Sequence, residues 1–346
     1  MRACVLHQAK DLRIEERPDR ALAPGEVRLR LGRGSICGSD LHYYFDGRVG
    51  DFAVREPLIL GHEISGDITE IGPEVEGLAV GQRVAVNPGR PCRHCDFCRS
   101  GRENLCRNMI FFGSAAKLPH LQGAFIDAPV VQASQCHPVP DDMPHEKLAF
   151  AEPLSVALHA VMRAGNLVGQ KVLVTGCGPI GALIVMAARH AGAAHIAVTD
   201  VADEPLAIAR SVGADETVNV ATEAAKAEAW QQNNGTFDAA LEVSGNAAAL
   251  DTCVLSTRPG GTLVQVGFLP SGPVPVQVNR LMAKEMQIRG SFRFHEEFAW
   301  SVQALATGAI DASPLLTAAY PVSKIDEAFE AARDRKRNMK VQIYFD

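Results

Sequence analysis

The stretch Lys171-Val-Leu-Val-Thr-Gly-Cys-Gly-Pro-Ile-Gly181 decides the fold. Its first five residues read as a buried apolar strand, and residues 180–191 read as an apolar helix. Between them Gly176-Cys-Gly178-Pro179-Ile180-Gly181 is a G-x-G-x-x-G in the strand–turn–helix setting that motif requires. Gly176 permits the tight turn, Gly178 lets backbone approach a pyrophosphate, and Gly181 allows the helix to pack close to its strand. The free N–H groups at the helix start favour the pyrophosphate's negative charge. Asp200 follows about 20 residues on, where a carboxylate accepts from an adenosine ribose hydroxyl. The plainer alternative is that Asp200 only caps the next helix. Residues 201–205 carry Asp203 and Glu204 but no Arg or Lys, so a ribose 2′-phosphate finds no cation and NAD is favoured over NADP.

Working outward, strands at 195–199, 217–220, 239–243, 262–266 and 286–289 alternate with helical text such as 204–212. That alternation predicts an α/β doubly wound parallel Rossmann sheet. Upstream, from Met1 to about Pro140, the texture differs: short β-like runs at 27–31, 63–71 and 83–86 are separated by turns at Pro24-Gly25 and Gly72-Pro73. This predicts a twisted, partly closed β domain with long functional loops. The expected division is a catalytic domain at 1–154 with a metal lobe at about 88–110, a dinucleotide domain at 155–290, and a returning segment at 291–346. The length of 346 residues agrees with two domains rather than one.

The lobe is defined by Cys92, Cys95, Cys98 and Cys106, a C-x2-C-x2-C-x7-C run. Four thiolates complete the closed tetrahedral shell of a structural zinc and leave no position open for chemistry. A ferredoxin-type cluster shares the first spacings, but no partner cysteine run and no Cys-Pro follows. A disulfide knot is disfavoured because the N-terminus Met1-Arg2-Ala3-Cys4 lacks an apolar leader, which predicts a reducing cytoplasmic location. Cys4, Cys136, Cys177 and Cys253 sit in apolar text and read as buried thiols.

A second metal set is scattered. Cys37 and His62 offer a thiolate and an imidazole, and Glu152, in the apolar frame Phe150-Ala-Glu-Pro-Leu154, offers a carboxylate. Three protein ligands with an open fourth position describe a catalytic zinc. Two zinc ions per chain are therefore expected. A net charge of −6 excludes a nucleic-acid partner, and no apolar run approaches the ~20 residues of a membrane span. The basic residues Lys336, Arg337 and Lys340 read as a solvated surface.

Cys37-Gly-Ser-Asp-Leu-His42, Gly61-His-Glu63, the cysteine lobe and the glycine loop together resemble the zinc-dependent medium-chain alcohol dehydrogenases, over essentially the whole chain. The resemblance implies a GroES-like catalytic domain and a zinc- and NAD-dependent oxidoreductase. It implies that Cys37, His62 and Glu152 hold the catalytic zinc, Glu152 directly or through water, with Glu63 an alternate ligand. Ser39 would bridge the reacting oxygen to the nicotinamide ribose, His42 would pass the proton to solvent, and Asp40 would orient His62. Glu152 in Glu152-Pro-Leu-Ser-Val156 resembles the polyol dehydrogenase branch. The strings 36–44, 111–115, 242–245 and 289–294 resemble the L-idonate 5-dehydrogenases within it. The implied substrate is a small sugar acid, L-idonate going to 5-keto-D-gluconate, with L-iditol or sorbitol as the alternative. Arg293 is the implied cation for the acid's far end. The family also implies a homotetramer or homodimer, paired through the strand near 286–290. A zinc-free enone reductase on the same fold would lack the metal positions, and a non-enzymatic structural protein or redox sensor would not need Ser39 and His42.

Overall fold

The structure, a computed structural model, describes residues 1–346. They form two compact units, Met1–Glu152 with Phe298–Asp346, and Pro153–Glu297.

In the second unit six strands make one sheet. Taken across it they are Glu216–Asn219, His195–Asp200, Lys171–Thr175, Phe237–Glu242, Thr257–Gln265 and Gln287–Gly290. Every pairing is parallel. In chain order this is 3-2-1-4-5-6, so the winding reverses between Lys171–Thr175 and Phe237–Glu242, where such sheets bind ligands at their carboxyl ends. Val172, Leu173 and Val174 are fully buried, which is why this strand reads as continuous apolar text rather than as an alternation. The helix Pro179–His190 starts with proline at its first turn, where a missing N–H costs nothing. Leu173, Ala197, Phe237 and Leu263 belong to the unit's core.

The first unit is built on a seven-stranded sheet in which Glu26–Ser35 lies between Glu63–Ile71 and Lys340–Tyr344. Both of these neighbours are antiparallel to it. The last strand therefore joins the sheet next to one laid down about three hundred residues earlier. Arg2–Gln8, Asp11–Glu16 and Leu58–Ile59 form a separate three-stranded sheet. Leu29, Ile68, Phe125, Phe329 and Ile343 fill the core, each fully buried large side chain contributing roughly 1.5–3 kcal/mol. No helix is long and apolar enough to cross a membrane.

Candidate functional site

Cys37 precedes the helix Gly38–Asp46, while His62 directly precedes the strand Glu63–Ile71 and Glu63 opens it. Asp40 ties these segments together: its carboxylate accepts from Cys37 N at 3.0 Å and from Gly61 N at 3.2 Å. Gly61 is at φ 93, and a Cβ there would stand 2.1 Å from the Phe125 ring, so only glycine lets the chain turn into His62 at this depth. The result is a sulfur, a nitrogen and an oxygen donor all within 4.8 Å of one another, from Cys37, His62 and Glu63. Glu152, second residue of the helix Ala151–Ala164 and 6% exposed, lies outside that group of three.

The electrostatics of this cluster call for a cation. Burial pushes Glu152 up to about 8; His62 and Lys340 oppose the shift, while Glu63 and Cys37 add to it. Burial likewise pushes the Cys37 thiol up to about 12, aided by Glu63 and opposed by Lys340 and by a hydrogen bond from Ser39. His62 Nδ1 and Glu63 Oε2 are buried without a hydrogen bond. A zinc ion fits this donor set, because it would bind the thiolate and carboxylate forms that burial now disfavours.

Lys340 lies where the sequence reading did not place it. Rather than sharing a solvated surface with Lys336 and Arg337, it is 3% exposed. Its Nζ donates to Glu63 Oε1 at 2.7 Å and lies 2.5 Å from Oε2, an ionic contact outside hydrogen-bond geometry. The strand Lys340–Tyr344 carries it inward, whereas Lys336 and Arg337 precede that strand and stay exposed. Asp40 also departs from expectation: its Oδ1 stands 3.7 Å from His62 Nδ1, too far for a hydrogen bond, and it holds the backbone at both ligands instead. Ser39 and His42 share the helix after Cys37. The His42 side chain is 62% exposed, with Nδ1 3.0 Å from Asp46 Oδ2.

In the lobe all four cysteines are free thiols, and their sulfurs lie within 4.8 Å of one another. Cys95 Sγ is 3.5 Å and Cys92 Sγ 4.0 Å from Cys98 Sγ. Ligands at about 2.3 Å from a tetrahedral centre stand roughly 3.8 Å apart, so the spacing suits zinc and is far too wide for disulfide bonds. The His94 N–H leads the groups that pull Cys92 down to about 6, a thiol ready to ligate.

At the glycine loop Gly176 has φ 89, and a Cβ on Gly181 would stand 2.0 Å from Gly176 O, which is the close helix–strand packing the motif predicts. Gly178 is the N-cap, followed by Pro179, Ile180 and Gly181 in the first turn. Asp200 Oδ2 accepts from Cys177 N at 2.7 Å, and Oδ1 accepts from Val201 N and Ala202 N. Ala202, not Asp200, is the N-cap of the following helix Asp203–Ser211. Three donors leave part of the carboxylate's acceptor capacity free. The sequence reading also missed what Glu242 does. This fully buried carboxylate accepts from Ser244 Oγ, Gly245 N and Gln265 Nε2, joining two loops at the carboxyl edge of the sheet. Arg293 sits in the second unit at φ 57, its guanidinium 4.8 Å from the Phe292 ring centre.

Residues 23–141 match the alcohol dehydrogenase GroES-like domain, and residues 179–307 match the zinc-binding dehydrogenase domain. The chain is 43% identical over 317 residues to L-idonate 5-dehydrogenase (NAD(P)(+)) of Escherichia coli K12, covering 92% of this chain and 91% of that protein. It is 39% identical over 350 residues to sorbitol dehydrogenase of Gallus gallus, covering 99% and 96%. The crystal structure of L-idonate 5-dehydrogenase from E. coli K-12 superposes with a TM-score of 0.95 at 41% identity, covering 99% of this chain and 98% of that one. The chain belongs to the zinc-binding medium-chain alcohol dehydrogenases.

Proposed function

We propose that this enzyme oxidises the C5 hydroxyl of L-idonate to give 5-keto-D-gluconate, with NAD+ reduced to NADH and one proton released. The observation that carries the chemistry is the buried donor set of Cys37, His62 and Glu63 beside Glu152. The likeness to L-idonate 5-dehydrogenase supports the substrate, and the slightly lower likeness to sorbitol dehydrogenase keeps L-iditol or sorbitol as the second reading.

Cys37, His62 and Glu152 would hold the catalytic zinc, with Glu63 as the alternate ligand. Glu152 interacts electrostatically with His62, Glu63 and Cys37 and would complete the ligand set either directly or through water. Zinc bound there supplies Lewis acidity that lowers a hydroxyl's pKa by several units, and bound NAD supplies the hydride acceptor. The remaining work belongs to the chain. Lys340 holds the Glu63 carboxylate, and Asp40 fixes the backbone on either side of the ligands. Ser39 would take the substrate proton and pass it to His42, whose exposed ring hands it to water. Gly176, Gly178, Pro179, Ile180 and Gly181 would cradle the pyrophosphate, and Asp200 would accept from the ribose. The absence of a cation at 201–205 supports NAD over NADP. A cytoplasmic location agrees with nine free thiols. Pairing of the edge strand Gln287–Gly290 with a second copy, in a homodimer or homotetramer, agrees with the 48% exposure of Ile288. NADH formation measured at 340 nm against a panel of aldonates and polyols tests the reading. A higher kcat/KM for L-idonate than for L-iditol and sorbitol is expected, and the reverse order would install the polyol reading.

A further inference from the structure

An aldonate differs from the matching polyol at one end, where a carboxylate replaces a hydroxymethyl group, and a site that tells them apart needs a cation several ångströms from the reacting carbon. The first unit contains a pocket of about 210 Å³ that no step above uses. Its walls are two loops, one carrying Asp51, Phe52 and Arg55, the other Ala115, Lys117 and His120.

The walls are fixed to each other. His120 accepts from Arg55 N at 2.9 Å through Nε2, and its Nδ1 lies 2.7 Å from Lys117 O, so both ring nitrogens are committed to backbone. Gln122 adds to the clasp, accepting from Ile59 N and donating to Pro57 O. The pocket is also tied to the metal cluster. Ala115 N donates to the Tyr43 hydroxyl at 3.0 Å, and Tyr43 lies on the helix that follows Cys37. A Cβ on Gly113 would stand 3.2 Å from Gly61 N, next to His62. Two cations line the pocket, and neither the Arg55 guanidinium nor the Lys117 ammonium is held in an ion pair. The acid on the rim, Asp51, faces Arg48 at 3.7 Å.

The geometry points to this pocket as the subsite for the substrate carboxylate, with Arg55 and Lys117 as its specificity-determining cations in place of Arg293. The inference rests on the proposed aldonate substrate. A carboxylate entering between the two loops meets two unpaired positive charges, and a neutral polyol gains nothing there. Because both cations are exposed, their attraction is screened by salt.

The test is steady-state kinetics of the zinc-loaded enzyme with NAD+ and either L-idonate or L-iditol, for wild type, Arg55→Ala, Lys117→Ala, the double variant and Arg293→Ala. The double variant should lose about tenfold in kcat/KM for L-idonate, mostly in KM, and stay within about twofold for L-iditol. Arg55→Lys should recover part of the loss, and raising the salt should weaken the wild-type preference. Equal losses on both substrates, or a selective loss in Arg293→Ala alone, would overturn the pocket while leaving the aldonate reading standing. A wild type that prefers L-iditol would overturn that reading and the pocket with it.

Discussion

Lys340 and Glu63 make an ion pair whose side chains are 3% and 1% exposed, and a buried pair of this kind punishes the loss of one partner more than it rewards the presence of both. Removing the ammonium would strand the Glu63 carboxylate beside Cys37 and Glu152, so Lys340→Ala should cost about 3–5 kcal/mol in metal-free protein, read from urea unfolding. Adding Glu63→Gln should return part of that loss; a purely additive double variant would show that the pair is not coupled. Lys340 was illegible in the sequence because its partner is 277 residues away and its neighbours Lys336 and Arg337 are ordinary surface residues. The four lobe cysteines were legible because their spacing is local, and Cys37 and His62 because each stands in a short distinctive string, Cys37-Gly-Ser-Asp and Gly61-His-Glu. Asp200 is an intermediate case. The sequence placed it at the end of its strand, yet only the structure shows that it also accepts from Cys177 N in the glycine loop. Asp200→Ala should raise the KM for NAD+ and narrow the preference over NADP+, measured as the ratio of kcat/KM values. An unchanged ratio would leave the loop contact as its whole role.

At the scale of elements, sequence and structure agree best where a strand is buried on both faces or its period is regular. The strands at 63–71, 83–86 and 171–175 coincide with the observed bounds, and the helix expected at 204–212 is Asp203–Ser211. The sequence alone does not divide the returning segment into elements: Leu316–Pro321 and Lys340–Tyr344 join a sheet whose other strands lie far earlier in the chain, and Ile325–Arg333 packs on those two strands. Local patterning carries no record of that register. The segment just before Phe298 is held by a part-buried pair, Glu297 Oε1 to His159 Nδ1 at 2.8 Å, with Glu297 Oε2 accepting from His295 N at 2.7 Å. Burial alone would raise the Glu297 pKa; the hydrogen bonds from His159 and His295 N overcome it and hold the carboxyl below its usual 4.5. A depressed acid contributes stability above its unfolded value and loses it as the pH falls through the folded one. Wild-type stability should therefore decline below about pH 4.5, and Glu297→Gln should flatten that acid limb while lowering stability near neutrality. Equal slopes in the two proteins would remove Glu297 from the account.

Across the whole molecule the two metal sets lie in the same compact unit but are built on opposite principles. The lobe draws all four ligands from residues 92–106, and its only apolar support is a small cluster in which Cys98, Cys106 and Met109 are buried. Zinc there would replace a core that so short a segment cannot build, and its binding energy would be spent on ordering the loop. The other set is drawn from residues 37, 62, 63 and 152, of which the first three are placed by strands of the seven-stranded sheet and the helix Gly38–Asp46, with Ile36, Tyr43, Tyr44 and Ile64 in the unit's core. Losing that metal should cost chemistry while the fold stays. Elemental analysis of the purified chain should therefore give two zinc ions per chain, and each of two variants should retain one. Cys37→Ser should abolish turnover with Tm nearly unchanged. Cys98→Ser should lower Tm and open the lobe to proteolysis, yet keep measurable kcat at low temperature. If Cys98→Ser instead abolished turnover at a wild-type Tm, the lobe would belong to the catalytic machinery, and the closed tetrahedral reading of its four sulfurs would fall.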